Sequence, residues 1–222
     1  RQMCIRDRDI GNELNFGVTD PSQYEQYAKN MKSYIEAIDK TRPITVGDNN
    51  PGGLANANTT EFRNKVSTVL AKNGEGLAGA NYSMGAMSGI HNTHPDWKII
   101  ATETASPSNS RGIYNTLSQY NKTGDYQCTA YDTNAVSWGN TARESWWYTI
   151  KDDFVSGEFI WTGFDYIGEP TPWNGTDKGS VSGDKLAVPN SSYFGVIDTA
   201  GFEKDSFYFY TCLLYTSPSP RD

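Results

Sequence analysis

Residues 20–50, DPSQYEQYAKNMKSYIEAIDKTRPITVGDNN, contain the pattern from which the fold class can be predicted. Its first half spaces apolar side chains as an amphipathic helix does, after an aspartate and a proline that suit a helix start. Residues 43–47 then form a short apolar run, which predicts a buried strand, and the polar, Gly-rich residues 48–53 predict a loop. We therefore predict a helix over 21–40 that leads directly into a strand.

The same alternation of helices and strands continues along the chain. Residues 9–13 (DIGNE) indicate the end of a strand, and residues 62–70 indicate a second helix. Further strands are predicted at 77–82, 97–103 and 158–165, a further helix at 142–154, and loops at 106–138 and 167–192. Strands that alternate with helices imply a parallel sheet with helical crossover connections, so the fold class is α/β.

Polar or aromatic residues stand at the carboxyl ends of the predicted strands. These residues are Glu13, Asn49, Tyr82, Glu103 and Trp161. A (β/α)8 barrel builds its active site at this end of its strands. A doubly wound sheet also places polar residues there, but no Gly-rich phosphate-binding loop follows any of these strands, which favours the barrel.

The two ends of the chain resemble translated DNA adapters. Residues 3–8 (MCIRDR) can be encoded by a short DNA string whose reverse complement encodes residues 212–216 (CLLYT). Inverted ends of this kind are typical of a transposase-type sequencing adapter. We therefore expect residues 1–8 and 212–222 to be adapter-derived, and residues 9–211 to be a native segment of a larger protein.

Composition narrows the range of partners. The chain has 26 acidic and 19 basic residues and a formal net charge of −7, which argues against a nucleic-acid partner. No window approaches 18 consecutive apolar residues, so we expect no membrane span. Cys128 is the one cysteine within residues 9–211, and it has no neighbouring base motif, so we expect no cysteine nucleophile.

Glu13 and Glu103 are the residues whose chemistry is most informative. Two carboxyl groups that face each other across a barrel mouth suit glycosidic cleavage, in which one protonates the leaving oxygen and the other attacks the anomeric carbon. A separation of about 5–5.5 Å between them leads to retention of configuration. Their spacing alone leaves an alternative open, in which both glutamates are solvated loop residues without a catalytic role.

Four blocks of the chain resemble the β-galactosidases of glycoside hydrolase family 2. They are IGNE (10–13), ATETASPSNSRGIY (101–114), WTGFDYIGEPTPW (161–173) and SSYFGVIDTAGFEKDSFYFY (191–210). Their order and approximate spacing fit the family over essentially all of residues 9–211. The resemblance implies that this segment is a partial catalytic domain. It would be an incomplete (β/α)8 TIM barrel, running roughly from the end of strand 4 to strand and helix 8.

The resemblance also implies a reaction and a role for each site residue. The activity would be a retaining β-galactosidase that removes terminal β-D-galactose by double displacement. Glu13 would be the general acid/base, and Glu103 would be the nucleophile. Asn12 would hydrogen-bond the sugar 2-hydroxyl, Tyr82 would hold the nucleophile, and Trp161 would wall the subsite of the terminal sugar.

Alternatives remain open for these residues and for the function. Asn12 could instead cap the following turn, Tyr82 could pack at the barrel rim with its hydroxyl in water, and Trp161 could serve the core alone. The protein could be another family 2 retaining β-glycosidase, such as a β-glucuronidase or β-mannosidase. A non-catalytic sugar-binding barrel is the alternative from a different class.

No cofactor or metal site is evident in the sequence. His91 and His94 have the HxxH spacing of a zinc site, but no third ligand is evident, so we predict a polar loop there. Magnesium remains an option for the complete protein, with ligands on the strands that precede residue 9. We expect a β-galactoside as the partner, with no nucleic acid and no membrane, and the parent protein could be a homo-oligomer.

Overall fold

The computed structural model describes residues 7–14, 20–49, 51–55, 65–72, 75–82, 85–114, 126–171 and 189–216. These residues divide into two compact units. The first unit is Arg1–Thr104 with Trp146–Phe159, and the second is Ala105–Ser145 with Ile160–Asp222, in each case for the described residues.

The strands form a five-stranded sheet in the order β1-β2-β3-β4-β5. They are β1 (Arg8–Asn12), β2 (Ile44–Asp48), β3 (Leu77–Asn81), β4 (Lys98–Ala105) and β5 (Val155–Trp161). The pairs β1–β2, β2–β3 and β3–β4 are parallel. The α/β class with a parallel sheet is thus confirmed. Each described strand lies beside the next one in the chain, whereas a doubly wound sheet reverses its strand order.

Six helices connect or follow the described strands. They are α1 (Pro21–Ile38), α2 (Pro51–Leu54), α3 (Lys65–Ala71), α4 (Met87–Thr93), α5 (Ala142–Ile150) and α6 (Asp205–Thr216). Helix α1 begins where the sequence predicts, because Asp20 Oδ1 accepts hydrogen bonds from the backbone N–H of Ser22 at 2.9 Å and from its hydroxyl at 2.8 Å. None of the helices in the described part of the chain is long and apolar enough to cross a membrane.

Two apolar clusters hold the helices of the first unit against its sheet. One contains Ile10, Tyr24, Ala28, Ile44, Val46, Val66 and Leu70. The other contains Leu54, Ala71, Ala78, Ala80, Met87, Ile90, Trp97, Ile99 and Ala101. Alternate residues of β2 and β3 belong to these clusters, so the residues between them point to the opposite face of the sheet. That face carries the candidate site.

Several predicted boundaries are wrong. Helix α5 ends at Ile150 rather than at residue 154, because the chain turns there and the backbone N–H of Val155 donates to the carbonyl of Asp152 at 3.2 Å. Strand β5 is Val155–Trp161 rather than 158–165. Its first half includes Ser, Gly and Glu, so it lacked the apolar run of a buried strand. Helix α4 was not predicted, and His91 lies within it rather than in a loop.

The expected adapter ends overlap the structure in two places. Arg8 begins β1, and residues 212–216 form the last part of α6. Residues 1–6 and 217–222 lie outside the described residues. The adapter origin of both ends, and the boundaries at residues 9 and 211, therefore stay predictions.

Candidate active site

Four of the five predicted site residues lie together in the first unit. Asn12 ends β1 and Glu13 follows it, Tyr82 follows β3, and Glu103 lies near the end of β4. Because these strands run parallel, their carboxyl ends meet at one edge of the sheet. Active sites of barrel enzymes are built at this edge.

Both carboxylate oxygens of Glu103 accept hydrogen bonds. The phenol of Tyr82 donates to Oε1 at 2.6 Å, and the side-chain amide of Asn12 donates to Oε2 over a longer 3.4 Å. A short O–H···O contact is typical of a hydrogen bond to a charged acceptor. Two donors from two different strands therefore fix the orientation of this carboxyl group.

Asn81, which was not among the predicted site residues, connects Glu13 to the same group. Its side chain is 1% exposed. Its Nδ2 donates to Oδ1 of Asn12 at 2.8 Å and to Oε1 of Glu13 at 2.9 Å, and its Oδ1 accepts from the Thr102 hydroxyl at 2.8 Å. The two glutamates are thus joined through two amides. A polar residue at the end of the apolar strand LAGAN was the available signal.

A register shift precedes each glutamate. In β1 the pairing with β2 shifts between Asp9 and Asn12. In β4 the pairing with β3 shifts so that Thr102 is an extra residue before Glu103. An extra residue of this kind re-aims side chains and is common beside active sites. As a result, the consecutive residues Thr102 and Glu103 both contact the same group of side chains.

Glu13 and Tyr82 share an uncommon backbone conformation. Both have φ of +48°, in the left-handed region that few residues other than glycine adopt. Each is fastened by its backbone N–H, which donates at 2.8 Å to the carbonyl of Gly47 in one case and of Glu103 in the other. Strained residues of this kind persist where surrounding contacts over-determine them, and they cluster at active sites.

Gly47 lies against the side-chain amides of Asn12 and Asn81, which leave no room for a side chain at this position. A Cβ atom at this position would lie 2.3 Å from Oδ1 of Asn12 and 3.0 Å from Oδ1 of Asn81. Both distances are too short for any larger residue to fit without displacing the amides. The glycine was predicted only as the end of a strand, since the close approach arises from three strands that are distant in sequence.

Trp161, the fifth predicted site residue, belongs to the second unit. Its indole N–H donates to the hydroxyl of Tyr166 at 3.3 Å, and the two rings meet edge to face with centroids 5.9 Å apart. The Tyr166 hydroxyl in turn donates to the carboxylate of Glu169. The peptide bond between Trp161 and Thr162 is cis. A role of Trp161 toward substrate stays a prediction.

The two histidines pack against aromatic rings. His91 stacks on Phe154 with centroids 4.1 Å apart, and His94 stacks on Trp97 at 3.8 Å. The ring Nε2 of His94 also lies 3.1 Å from the carbonyl oxygen of Leu54. Within the described ranges there is no group of three or more His, Cys, Asp and Glu side chains that could hold a metal ion.

Four further ionisable groups are buried or half-buried. In the second unit, Lys204 forms an ion pair with Asp165 at 2.6 Å, and the two side chains are only 2% and 7% exposed. In the same unit, burial raises the pKa of the Cys128 thiol to about 12, which keeps it protonated. In the first unit, Glu158 accepts hydrogen bonds from the hydroxyls of Thr104 at 2.9 Å and Thr149 at 3.0 Å, and burial raises its pKa.

Comparison with known proteins indicates the class of enzyme to which the chain is similar. No family model matches the chain. It is 35% identical over 193 residues to the β-galactosidase BoGH2A of Bacteroides ovatus, a match that covers 82% of this chain and 20% of that protein. It is 26% identical over 230 residues to a Formosa agariphila protein provisionally named a β-glucuronidase, covering 90% of the chain and 18% of that protein. These names point to glycoside hydrolases. The chain spans about a fifth of the length of the curated relatives it matches.

Solved structures agree with the sequence matches. The chain is similar to a β-glycosidase from Bacteroides vulgatus with a TM-score of 0.63 and 25% identity, over 94% of this chain and 26% of that one. The sheet of five strands is thus similar to part of the barrel domain of glycosidases. Sequence and fold together support placing the chain, as a fragment, in glycoside hydrolase family 2.

Proposed function

We propose that the protein containing this chain is a retaining β-galactosidase, which hydrolyses terminal non-reducing β-D-galactose from β-galactosides. The observation that carries the proposal is the connection of Glu13 to Glu103 through the amides of Asn81 and Asn12. Glycosidic cleavage needs two carboxyl groups at one sugar-binding edge, and this arrangement supplies them.

In the first step, a carboxylate oxygen of Glu103 attacks the anomeric carbon while Glu13 gives its proton to the departing oxygen. The glycosidic bond breaks, and an ester forms between Glu103 and the sugar. In the second step, Glu13 takes a proton from water, whose oxygen attacks the anomeric carbon and releases Glu103. Two displacements at one carbon restore the original configuration.

The neighbouring side chains have supporting roles in this proposal. Tyr82 and Asn12 hold the Glu103 carboxylate at 2.6 and 3.4 Å and stabilise its negative charge. Asn12 is exposed, so it is also accessible to the sugar 2-hydroxyl. Trp161, which is partly exposed at the end of β5, would wall the terminal-sugar subsite.

We also propose that the sheet is an incomplete (β/α)8 TIM barrel. The five strands would correspond to strands 4 to 8, and their uninterrupted sequential order supports this assignment, because consecutive strands of a barrel are neighbours. The complete gene product would supply the remaining strands, so every activity measurement below uses that product.

An inactivator that carries fluorine at the sugar 2-position tests the nucleophile. We expect a 2-fluoro-β-galactoside with a good leaving group to add one sugar to the peptide that contains Glu103, as seen by mass spectrometry. The Glu75→Gln variant, which alters an exposed carboxylate, should be labelled as the unaltered enzyme is. A sugar on any residue other than Glu103 would refute the assignment.

A β-glucuronidase is the second candidate, because the relative that is 26% identical carries that name. We favour galactose because the 35% identical relative is a β-galactosidase. Values of kcat/KM for aryl β-galactosides, β-glucuronides and β-mannosides separate these family 2 activities. Sugar binding without turnover of any of them would support the non-catalytic alternative.

A further inference from the structure

We propose that Asn81 and Thr102 are positioning residues that decide which oxygen of Glu13 carries the catalytic proton. The inference deepens the proposed function and rests on it. Neither residue needs to touch the substrate, because Asn81 acts through its hydrogen bond to the acid and Thr102 acts through its hydrogen bond to Asn81.

The first step of the argument is that the Asn81 amide has one orientation. The carboxyl oxygen Oε1 of Glu13, 2.9 Å away, needs a donor, and only the NH2 end of the amide supplies one. The opposite end accepts from the Thr102 hydroxyl at 2.8 Å. A reversed amide would place two acceptor oxygens against each other at Glu13, so Glu13 fixes the observed orientation, and the Thr102 hydroxyl then satisfies the amide oxygen that this orientation presents.

The second step concerns the proton of Glu13. A protonated carboxyl group has one O–H and one oxygen that only accepts. Because Oε1 already accepts from Asn81, a proton on Oε1 would oppose the N–H of the amide. The proton is therefore directed to Oε2. Asn81 thus keeps the proton of Glu13 on Oε2, and Oε2 delivers it to the leaving oxygen.

The third step explains the extra residue in β4. The register shift between Ala80 and Asn81 is what places the Thr102 hydroxyl next to Asn81 and still leaves Glu103 in the site. In a regular strand, consecutive side chains point to opposite faces. The same strand therefore supplies both the nucleophile and the support for the acid.

Leaving-group dependence separates this role from a merely structural one. Protonation matters for a poor leaving group such as an alkyl alcohol and little for 2,4-dinitrophenolate, which departs without a proton. General acid catalysis contributes about 10²–10⁴-fold, and Thr102→Val should lose part of it. We expect kcat/KM for an alkyl β-galactoside to fall on the order of tenfold, with that for the dinitrophenyl galactoside almost unchanged.

The matched control is Thr45→Val. Thr45 is a buried threonine on β2 whose hydroxyl donates to the carbonyl of Leu77 at 3.1 Å rather than to Asn81. The same chemical change there should leave the ratio between the two substrates as it is in the unaltered enzyme. An equal loss on both substrates in Thr102→Val would overturn the positioning role.

A second variant gives an independent readout. Asn81→Asp places a carboxyl group where an amide now donates to Glu13, and two carboxyl groups so close cannot both ionise easily. We expect the alkaline limb of the kcat/KM–pH profile to move upward by about one unit or more. An unmoved limb would count against the inference. Failure of the unaltered gene product to hydrolyse any glycoside would instead refute the proposed function itself.

Discussion

The phenol oxygen of Tyr82 lies 2.6 Å from Oε1 of Glu103, and the backbone N–H of Tyr82 donates to the carbonyl of the same residue at 2.8 Å. Tyr82 is therefore fastened to Glu103 at both ends, in a left-handed conformation. Its hydroxyl donates to the carboxylate. The alternative prediction was a rim tyrosine whose hydroxyl lies in water.

Tyr82→Phe removes this donor and keeps the ring. Loss of one preorganised donor at a charged reacting group lowers kcat by about 10²-fold, and we expect a loss of that order here with a smaller change in KM. Steady-state kinetics with an aryl galactoside measures both. Tyr34→Phe, at a residue 70% exposed on α1, is the control and should keep full activity. Retained activity in Tyr82→Phe would contradict the role.

Gly47→Ala tests the packing beneath the site. The added Cβ would overlap Oδ1 of Asn12, so the amide that donates to Glu103 must shift. A displacement of about 1 Å can lower the rate by about 10²-fold, and we expect a loss of this order. Gly85→Ala is the control, since its Cβ would meet nothing within 4 Å. Equal activity of the two variants would show that the site tolerates the shift.

Lys204→Met should destabilise the second unit. The ammonium donates to the carbonyls of Asn109 at 2.8 Å and Tyr193 at 3.3 Å as well as pairing with Asp165, and its removal leaves a buried carboxylate uncompensated. Such losses are about 3–5 kcal/mol of unfolding free energy. Lys32→Met, which breaks a partly exposed pair with Glu75, should lose at most about 1 kcal/mol. Urea unfolding of both variants measures the two losses. Equal losses of unfolding free energy would contradict the prediction.

Glu158→Gln should change how stability depends on pH. Burial raises the pKa of Glu158, and the Thr104 and Thr149 hydroxyls oppose this only in part. As pH rises through the unfolded and then the folded pKa, the folded protein holds a proton that the unfolded chain has lost, so stability falls. The variant lacks this decline.

We therefore compare the stability of Glu158→Gln with that of the unaltered protein by thermal unfolding at two pH values. We expect the difference to favour the variant more at about pH 8 than at about pH 4. Glu75→Gln is a control of opposite sign, because the hydrogen bond from Lys32 lowers the pKa of Glu75. Its contribution is present at high pH and is lost as pH falls. An identical dependence of stability on pH for Glu158→Gln and the unaltered protein would show that burial does not raise the pKa of this carboxyl group.

Local patterns were sufficient to predict much of the sheet. Helix α1 follows from apolar spacing and the Asp20 cap, and β2 and β3 follow from short apolar runs. The same patterns placed Glu13 and Glu103 at strand ends, and the structure brings their side chains into one hydrogen-bonded group. These features depend on neighbours in sequence, so one sequence can reveal them.

The features that could not be predicted depend on contacts between strands distant in sequence. The register shift at Thr102 arises from the pairing of β4 with β3, and it leaves no mark in composition. Asn81 gains its partners only when β1 and β4 lie on either side of it. Helix α4 is short and includes Gly89 and Asn92, which are weak helix formers, so its formation depends on packing at Met87 and Ile90.

The extra residue in β4 has a consequence for how this segment can vary among homologues. Apolar side chains that face the helices can be exchanged for others of similar volume, because such swaps preserve the core. Deleting one position between Ala101 and Glu103 would instead leave a single residue in the place of Thr102 and Glu103, so either the nucleophile or the hydroxyl that supports Asn81 would be lost. We therefore expect alignments of active relatives to contain substitutions across Lys98–Ala105 but neither gaps nor insertions.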